Sequence, residues 1–225
     1  MHIGLLGGIG PAATEFYYRG LIDRHAQSNT LLDLTIAHAD VHEMARNLAS
    51  GDAARQAQIF ATLVRRLAAA GAELAVITSM GGHFCVRELA AVAPIPILNA
   101  LPEVAAEVSR KSFKRVGILG TRRVMETRLY GAITSAEVVV PEGDGLAQVS
   151  KAYTEMATVG RVTAAQREVF FKAGAALMKD QGAEVVLLGG TDLFLAFQGR
   201  DCGFAVLDCA DIHVAAVYKK SLASA

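Results

Sequence analysis

One apolar motif occurs twice in this chain, as Ile3-Gly4-Leu5-Leu6-Gly7 and as Val116-Gly117-Ile118-Leu119-Gly120. Each copy is strand-sized, runs into a glycine-bearing turn, and is followed by segments with helical spacing. A second echo pairs Ala75-Val76-Ile77-Thr78-Ser79 with Val186-Leu187-Leu188-Gly189-Gly190. Ile3 and Val76 lie 73 residues apart, and Val116 and Val185 lie 69 apart. In both halves the later run follows a long helical stretch that ends in a turn, Gly71-Ala72-Glu73 or Gly182-Ala183-Glu184. A sequence that repeats itself at this spacing must build one α/β unit twice.

The fold class expected is α/β: two similar Rossmann-like domains with mainly parallel sheets, related by a pseudo-two-fold. Their expected extents are 1–100 plus 209–225, and 101–208, with Pro94-Ile95-Pro96 near the crossover. Strands are read at 3–7, 34–37, 74–78, 97–98, 116–119, 138–140, 185–188 and 204–207. Helices are read at 12–26, 53–70, 101–110, 124–133, 163–181 and 210–222. Apolar strands alternating with helices imply sheets covered on both faces and right-handed crossovers. In such sheets a ligand sits beyond the carboxyl ends of the strands. Those ends are Gly7-Gly8, Ser79-Met80, Gly120-Thr121 and Gly190-Thr191, and the expected site is a cleft between the two domains.

Composition narrows the partners. Lys plus Arg and Asp plus Glu both number 22, so the net charge is zero and no electrostatic attraction to nucleic acid or an anionic membrane is expected. The absence of Trp removes one element of a base-stacking platform. No apolar run approaches the roughly 18–20 residues of a membrane helix. Met1-His2-Ile3 lacks the basic start of a secretion signal. Three cysteines without C-x-x-C spacing give neither a disulfide framework nor a zinc motif, so a reducing cytoplasm is expected.

Each strand end carries two readings. Gly7-Gly8-Ile9-Gly10-Pro11 is a turn whose backbone N–H groups suit a carboxylate or phosphate, or simply a tight strand-to-helix connection. Ala13 stands where a dinucleotide fingerprint has its third glycine, which argues against a nicotinamide cofactor. Ser79 and His83 lie four residues apart, as a nucleophile and base would on one turn; alternatively Ser79 caps the next helix and His83 packs or hydrogen-bonds a carbonyl. Thr191 and Asp192 suit either a polar ligand or a helix cap, and Arg122 and Arg123 suit a carboxylate or solvent. Alternation along a strand would put His38, Asp40 and His42 on one face, but no further ligand accompanies them, so no metal is expected. Asp208, Asp211 and His213 are read as orienting the closing helix.

At these positions the chain resembles the PLP-independent aspartate/glutamate racemase family. Ile3–Pro11 resembles its opening I-G-x-x-G-G-M-G-P, with Ile9 for Met. The stretch from Asp40-Val41-His42-Glu43-Met44 to Gly51-Asp52 resembles the segment after its second strand. Gly120-Thr121-Arg122-Arg123-Val124-Met125-Glu126 resembles G-T-R-x-x-M-E, and Tyr153, Glu155 and Gly160 fall in a similar Y-x-E stretch. Asp208-Cys209-Ala210-Asp211-Ile212-His213 resembles D-[TS]-[TS]-x-I-H. The resemblance implies catalysis without a cofactor and a homodimer. It also implies two cysteines, one in C-N-T and one in G-C-T-E, that flank the substrate Cα and exchange its proton. Here those positions read Ser79-Met80-Gly81 and Gly189-Gly190-Thr191-Asp192, so Ser79 and Gly190 replace both thiols.

A serine hydroxyl is a far weaker base than a thiolate, and Gly190 carries no proton. The expectation is Cα proton transfer on a small carboxylate or an aspartate- or glutamate-like amino acid. Ser79 and His83 are the catalytic candidates, with Cys202 as another possible second base. By resemblance Gly8, Met80, Gly81, Thr121 and Thr191 contact the substrate with Asp192 as an orienting acid, and Arg46 is a candidate for a distal carboxylate. The alternative is a homologue that binds a small carboxylate with altered or lost chemistry, or a related isomerase or decarboxylase.

Overall fold

A computed structural model describes residues 1–222. The chain divides into two compact units, one built from 1–100 with the segment from His213 onward, the other from Leu101–Ile212. In the first unit β1 (Ile3–Gly7), β2 (Leu34–His38), β3 (Leu74–Ile77) and β4 (Ile97–Leu98) form a parallel sheet in the order β2-β1-β3-β4. In the second, β5 (Arg115–Leu119), β6 (Glu137–Val139), β7 (Val185–Leu188) and β8 (Val206–Asp208) form a parallel sheet in the matching order β6-β5-β7-β8.

The helices repeat as well. In the first unit α1 (Pro11–Gln27), α2 (Val41–Ser50), α3 (Ala53–Ala69) and α4 (Val86–Ala90) connect the strands. After α5 (Ala100–Arg110), the second unit uses α6 (Arg122–Glu126), α7 (Gly145–Val159), α8 (Ala164–Lys179) and α9 (Phe194–Phe197), and α10 (Cys209–Leu222) closes the described chain. Among the described residues no helix is long and apolar enough to cross a membrane.

The repeated glycine of the founding motif has a packing reason. A Cβ on Gly4 would lie 2.9 Å from Leu67 Cδ1, and one on Gly117 would lie 3.0 Å from Leu177 Cβ and Cδ1. Each glycine therefore lets a leucine of the long helix later in the same unit, α3 or α8, settle directly on the strand. Phe60, Val64 and Leu67 from α3 meet Leu6 and Ile77 in one core; Phe170 and Leu177 from α8 meet Leu119 and Leu188 in the other. Burying a side chain of this size contributes about 1.5–3 kcal/mol before entropy is charged against it.

Two local expectations need correction. The helix expected over 124–133 stops at Glu126. Thr127 Oγ1 donates to Arg123 O and accepts from Tyr130 N, offering the backbone an alternative to the helix. Arg128, Leu129, Tyr130 and Gly131 then turn left-handed, with φ of 50°, 57°, 58° and 70°. The second concerns His38, Asp40 and His42, which share no strand face. β2 ends at His38, and Asp40 instead caps α2, accepting from Glu43 N at 2.7 Å. Helices α2 and α7 are additions to the elements read from the sequence, although α2 carries a clear apolar face.

Candidate functional site

In the first unit the carboxyl ends of β1 and β3 are laced by hydroxyls. Thr78, fully buried, donates through Oγ1 to Leu6 O at 2.9 Å and lies 3.3 Å from Thr14 Oγ1. Thr14 Oγ1 accepts from Gly8 N at 2.9 Å. Gly8 has φ +84°, and a Cβ there would sit 2.5 Å from His38 Nδ1 and 2.6 Å from Ala39 O. Gly8→Ala is expected to cost roughly 2–4 kcal/mol, because left-handed strain and a backbone clash coincide. A denaturant midpoint measured at constant m-value checks this.

Beyond β3 the chain makes a 3₁₀ turn, Gly81–Cys85. Ser79, Met80, Gly81 and His83 are all buried there. Ser79 Oγ receives only a long contact from Gly82 N, 3.4 Å. His83 does not address that hydroxyl. Its Nδ1–H donates to the Ser79 carbonyl at 2.7 Å, and its Nε2 accepts from Ala100 N at 3.1 Å. The neutral ring is thus a bracket between the β3 turn and the start of α5. Burial pulls its pKa down to about 4, against a partial lift from the Ser79 hydrogen bond. Of the two readings open to the four-residue spacing, the geometry matches the one in which His83 hydrogen-bonds a carbonyl.

A second buried imidazole lies beside it. The rings of His83 and His213 are 5.7 Å apart and nearly perpendicular. His213 Nε2–H donates to Leu98 O at 3.2 Å, and Nδ1 accepts from Tyr17 O–H at 2.8 Å. Burial, then the neighbouring His83, pulls its pKa down to about 3. Through these bonds α10 is fastened to α1 and to the end of β4. Arg46 is exposed on α2. Its charge is among the smaller influences that lower the Asp40 carboxyl, the first being the bond from Glu43 N.

In the second unit Thr121 caps α6, its Oγ1 accepting from Val124 N at 3.2 Å. Gly189 and Gly190 end β7, and Thr191–Leu193 form a 3₁₀ turn. Thr191 and Asp192 are buried. The Tyr153 hydroxyl, carried on α7, donates to Asp192 Oδ2 at 3.1 Å. Burial, then the Asp192 charge, raises the phenol well above its ordinary pKa, so it stays protonated. Thr191 Oγ1 is buried without a hydrogen bond of good geometry, its contact with the Tyr153 phenol being loose.

None of the three thiols offers a strand-end thiolate. Burial pushes Cys85 up to about 12, and burial with the Asp208 charge holds Cys209 well above its usual value. Cys202 donates to Phe204 O at 3.3 Å, in the loop that leads into the amino-terminal end of β8. Topology therefore carries it away from the carboxyl ends of the strands. Asp208, by contrast, stands at the carboxyl end of β8 in register with Leu188. Burial raises its carboxyl to about 7, against the bond from Ala210 N, with Asp211 adding like charge. As read from the sequence, Asp208 helps to orient the closing helix, its Oδ1 accepting from Ala210 N at 2.8 Å, whereas the pairing of Tyr153 with Asp192 depends on a residue of another element and was not legible locally. Among the described residues no three His, Cys, Asp or Glu side chains converge as a metal site requires.

The family model of the Asp/Glu/Hydantoin racemases matches residues 6–217. A crystal structure of an Asp/Glu racemase candidate from Yersinia pestis shares 27% identity, covering 99% of this chain and 100% of its own, with a TM-score of 0.83. The fold is also that of an aspartate racemase homologue from Pyrococcus horikoshii OT3, with 24% identity, 98% and 99% coverage and a TM-score of 0.78. Glutamate racemase from Francisella tularensis, solved with D-glutamate, shares the fold at 13% identity, 98% and 81% coverage and a TM-score of 0.70. With nearly its whole length matched, this chain belongs to the Asp/Glu/hydantoin racemase family.

Proposed function

We propose that this protein binds a small acidic amino acid of the aspartate or glutamate class at its strand ends, and that it does not racemise it by a two-thiol route. The observation that carries this is the state of the possible bases. Cys85 and Cys209 are buried and held protonated, and Cys202 lies toward the amino-terminal side of β8. His83 does not serve Ser79 as a base, because both of its ring nitrogens are committed to backbone. Racemisation needs a proton acceptor on one face of Cα and a donor on the other, each matched to its task. In this reading Gly8, Met80, Gly81, Thr121, Thr191 and Asp192 contribute backbone and hydroxyl contacts, and Arg46 attracts a distal carboxylate. The protein works as a homodimer in the cytoplasm, without a cofactor.

A second reading rests on Asp208. A carboxyl that titrates near 7 at the end of β8 is poised for one-sided Cα proton exchange. Proton NMR in D₂O separates the two. Saturable binding of aspartate or glutamate with no loss of the Cα signal supports binding alone. Signal loss with retained chirality, abolished by Asp208→Asn, supports one-sided exchange. Full racemisation that is lost when Cys85, Cys202 or Cys209 is replaced by Ser would sink the main proposal, and racemisation that survives those changes but not Ser79→Ala would show that the serine takes part.

A further inference from the structure

Gly190 is glycine for want of space, not for backbone freedom. Its φ of −112° and ψ of 124° are ordinary extended values that any residue adopts. A Cβ there would meet the Tyr153 ring at 2.2 Å from Cε2, 2.6 Å from Cζ and 2.9 Å from Cδ2. Contacts of that length require the ring to leave.

The ring is not free to leave. Tyr153 is 5% exposed and belongs to the second unit's core with Leu119, Val149, Met156 and Phe170. Its hydroxyl is tied to Asp192, itself 1% exposed and two residues beyond Gly190. Aromatic ring, carboxylate and glycine thus form one interlocked unit. Beside them Thr191 Oγ1 keeps hydrogen-bonding capacity that no protein group meets with good geometry. A buried polar atom left in that condition costs free energy unless a ligand or water completes it.

We infer that Tyr153 is the specificity-determining residue of this strand end: it occupies the volume of a side chain at position 190 and makes the end of β7 a surface that binds rather than one that exchanges a proton. The inference rests on the proposed reading of Gly190 as the place of the second thiol. A ligand arriving there meets the Thr191 hydroxyl and backbone groups, with the phenol fixed as a donor to Asp192. Tyr153 acts through volume and positioning, and no covalent step is assigned to it.

A double-mutant cycle on the full chain tests this. Gly190→Cys is expected to lower the thermal midpoint by at least about 5 °C, as overpacking does in a tight core. Adding Tyr153→Ala is expected to bring the double variant well above the sum of the two single effects, whereas Tyr153→Phe, which keeps the ring, brings no relief. The thiol introduced at position 190 should react with a disulfide reagent, above the wild-type background, at least tenfold faster once the ring is removed. A Gly190→Cys protein that does not fold, beside a double variant that does, also supports the interlock. An unshifted midpoint for Gly190→Cys, additive effects, or a double variant that fails to fold would overturn it. Protection of the new thiol by aspartate or glutamate reports on ligand class separately. If the cycle shows coupling and neither amino acid protects, the interlock stands and the acidic amino-acid reading falls.

Discussion

The His83→Ala variant is expected to lose roughly 3–5 kcal/mol of stability in the first unit, well beyond the loss of a surface histidine. Truncation leaves a cavity, and it strips partners from two buried backbone groups, the Ser79 carbonyl and the Ala100 amide. An unsatisfied buried group costs about 1–3 kcal/mol, and a large-to-small change in a core adds to that. His83→Gln, which can both donate and accept, should recover part of the loss. Urea unfolding of the three proteins checks the order. A His83→Ala protein as stable as the parent would show that the ring is not the bracket its hydrogen bonds describe. The result also governs how kinetics are read, because any activity lost in His83→Ala has a structural cause to exclude first.

Lowering the pH from 7.5 to 5 is expected to move the two units in opposite directions. In the first, His83 and His213 are held neutral, with folded values near 4 and 3 against 6.5 in the unfolded chain. Between those limits the unfolded chain binds more protons, so stability is complete above about 6.5 and falls as the pH drops toward 4. By pH 5 the loss is about 2 kcal/mol per imidazole. His25, lowered chiefly by burial, pulls the same way. In the second unit Asp208 has the opposite sign. Its folded value near 7 exceeds the ordinary 3.8, so the folded state binds more protons between them. Stability there rises by roughly 2–3 kcal/mol as the pH falls from 7.5 to 5. Amide hydrogen exchange, read on peptides from each unit, should show 1–100 loosening and 101–212 tightening. Asp208→Asn should abolish the second trend while raising the stability of that unit at pH 8. Parallel loss in both units would contradict this assignment of buried charges.

The sequence by itself determined the architecture. The doubled motif at Ile3–Gly7 and at 116–120 announced two α/β units, because a parallel strand buried on both faces must be a short apolar run and its crossover must be a helix. The long helices α3 and α8 were both read from the sequence, α3 from its apolar spacing, and separated motifs identified the family. Helices α2 and α7 were not read from the sequence, although α2 carries a clear apolar face, and periodicity hid the left-handed turn at 128–131, which a hydroxyl and a glycine set without any apolar signal.

The chemistry of the site lay beyond the sequence. A four-residue spacing from Ser79 to His83 is compatible with a catalytic pair or with a clamp, and the Ala100 amide, 17 residues away, decided for the clamp. Likewise Gly190 alone reads as a lost side chain. Tyr153, carried in from α7, shows that the space is filled. Burial and hydrogen-bond partners are properties of elements brought together across the chain, so only the tertiary structure could set the protonation of His83, His213 and Asp208.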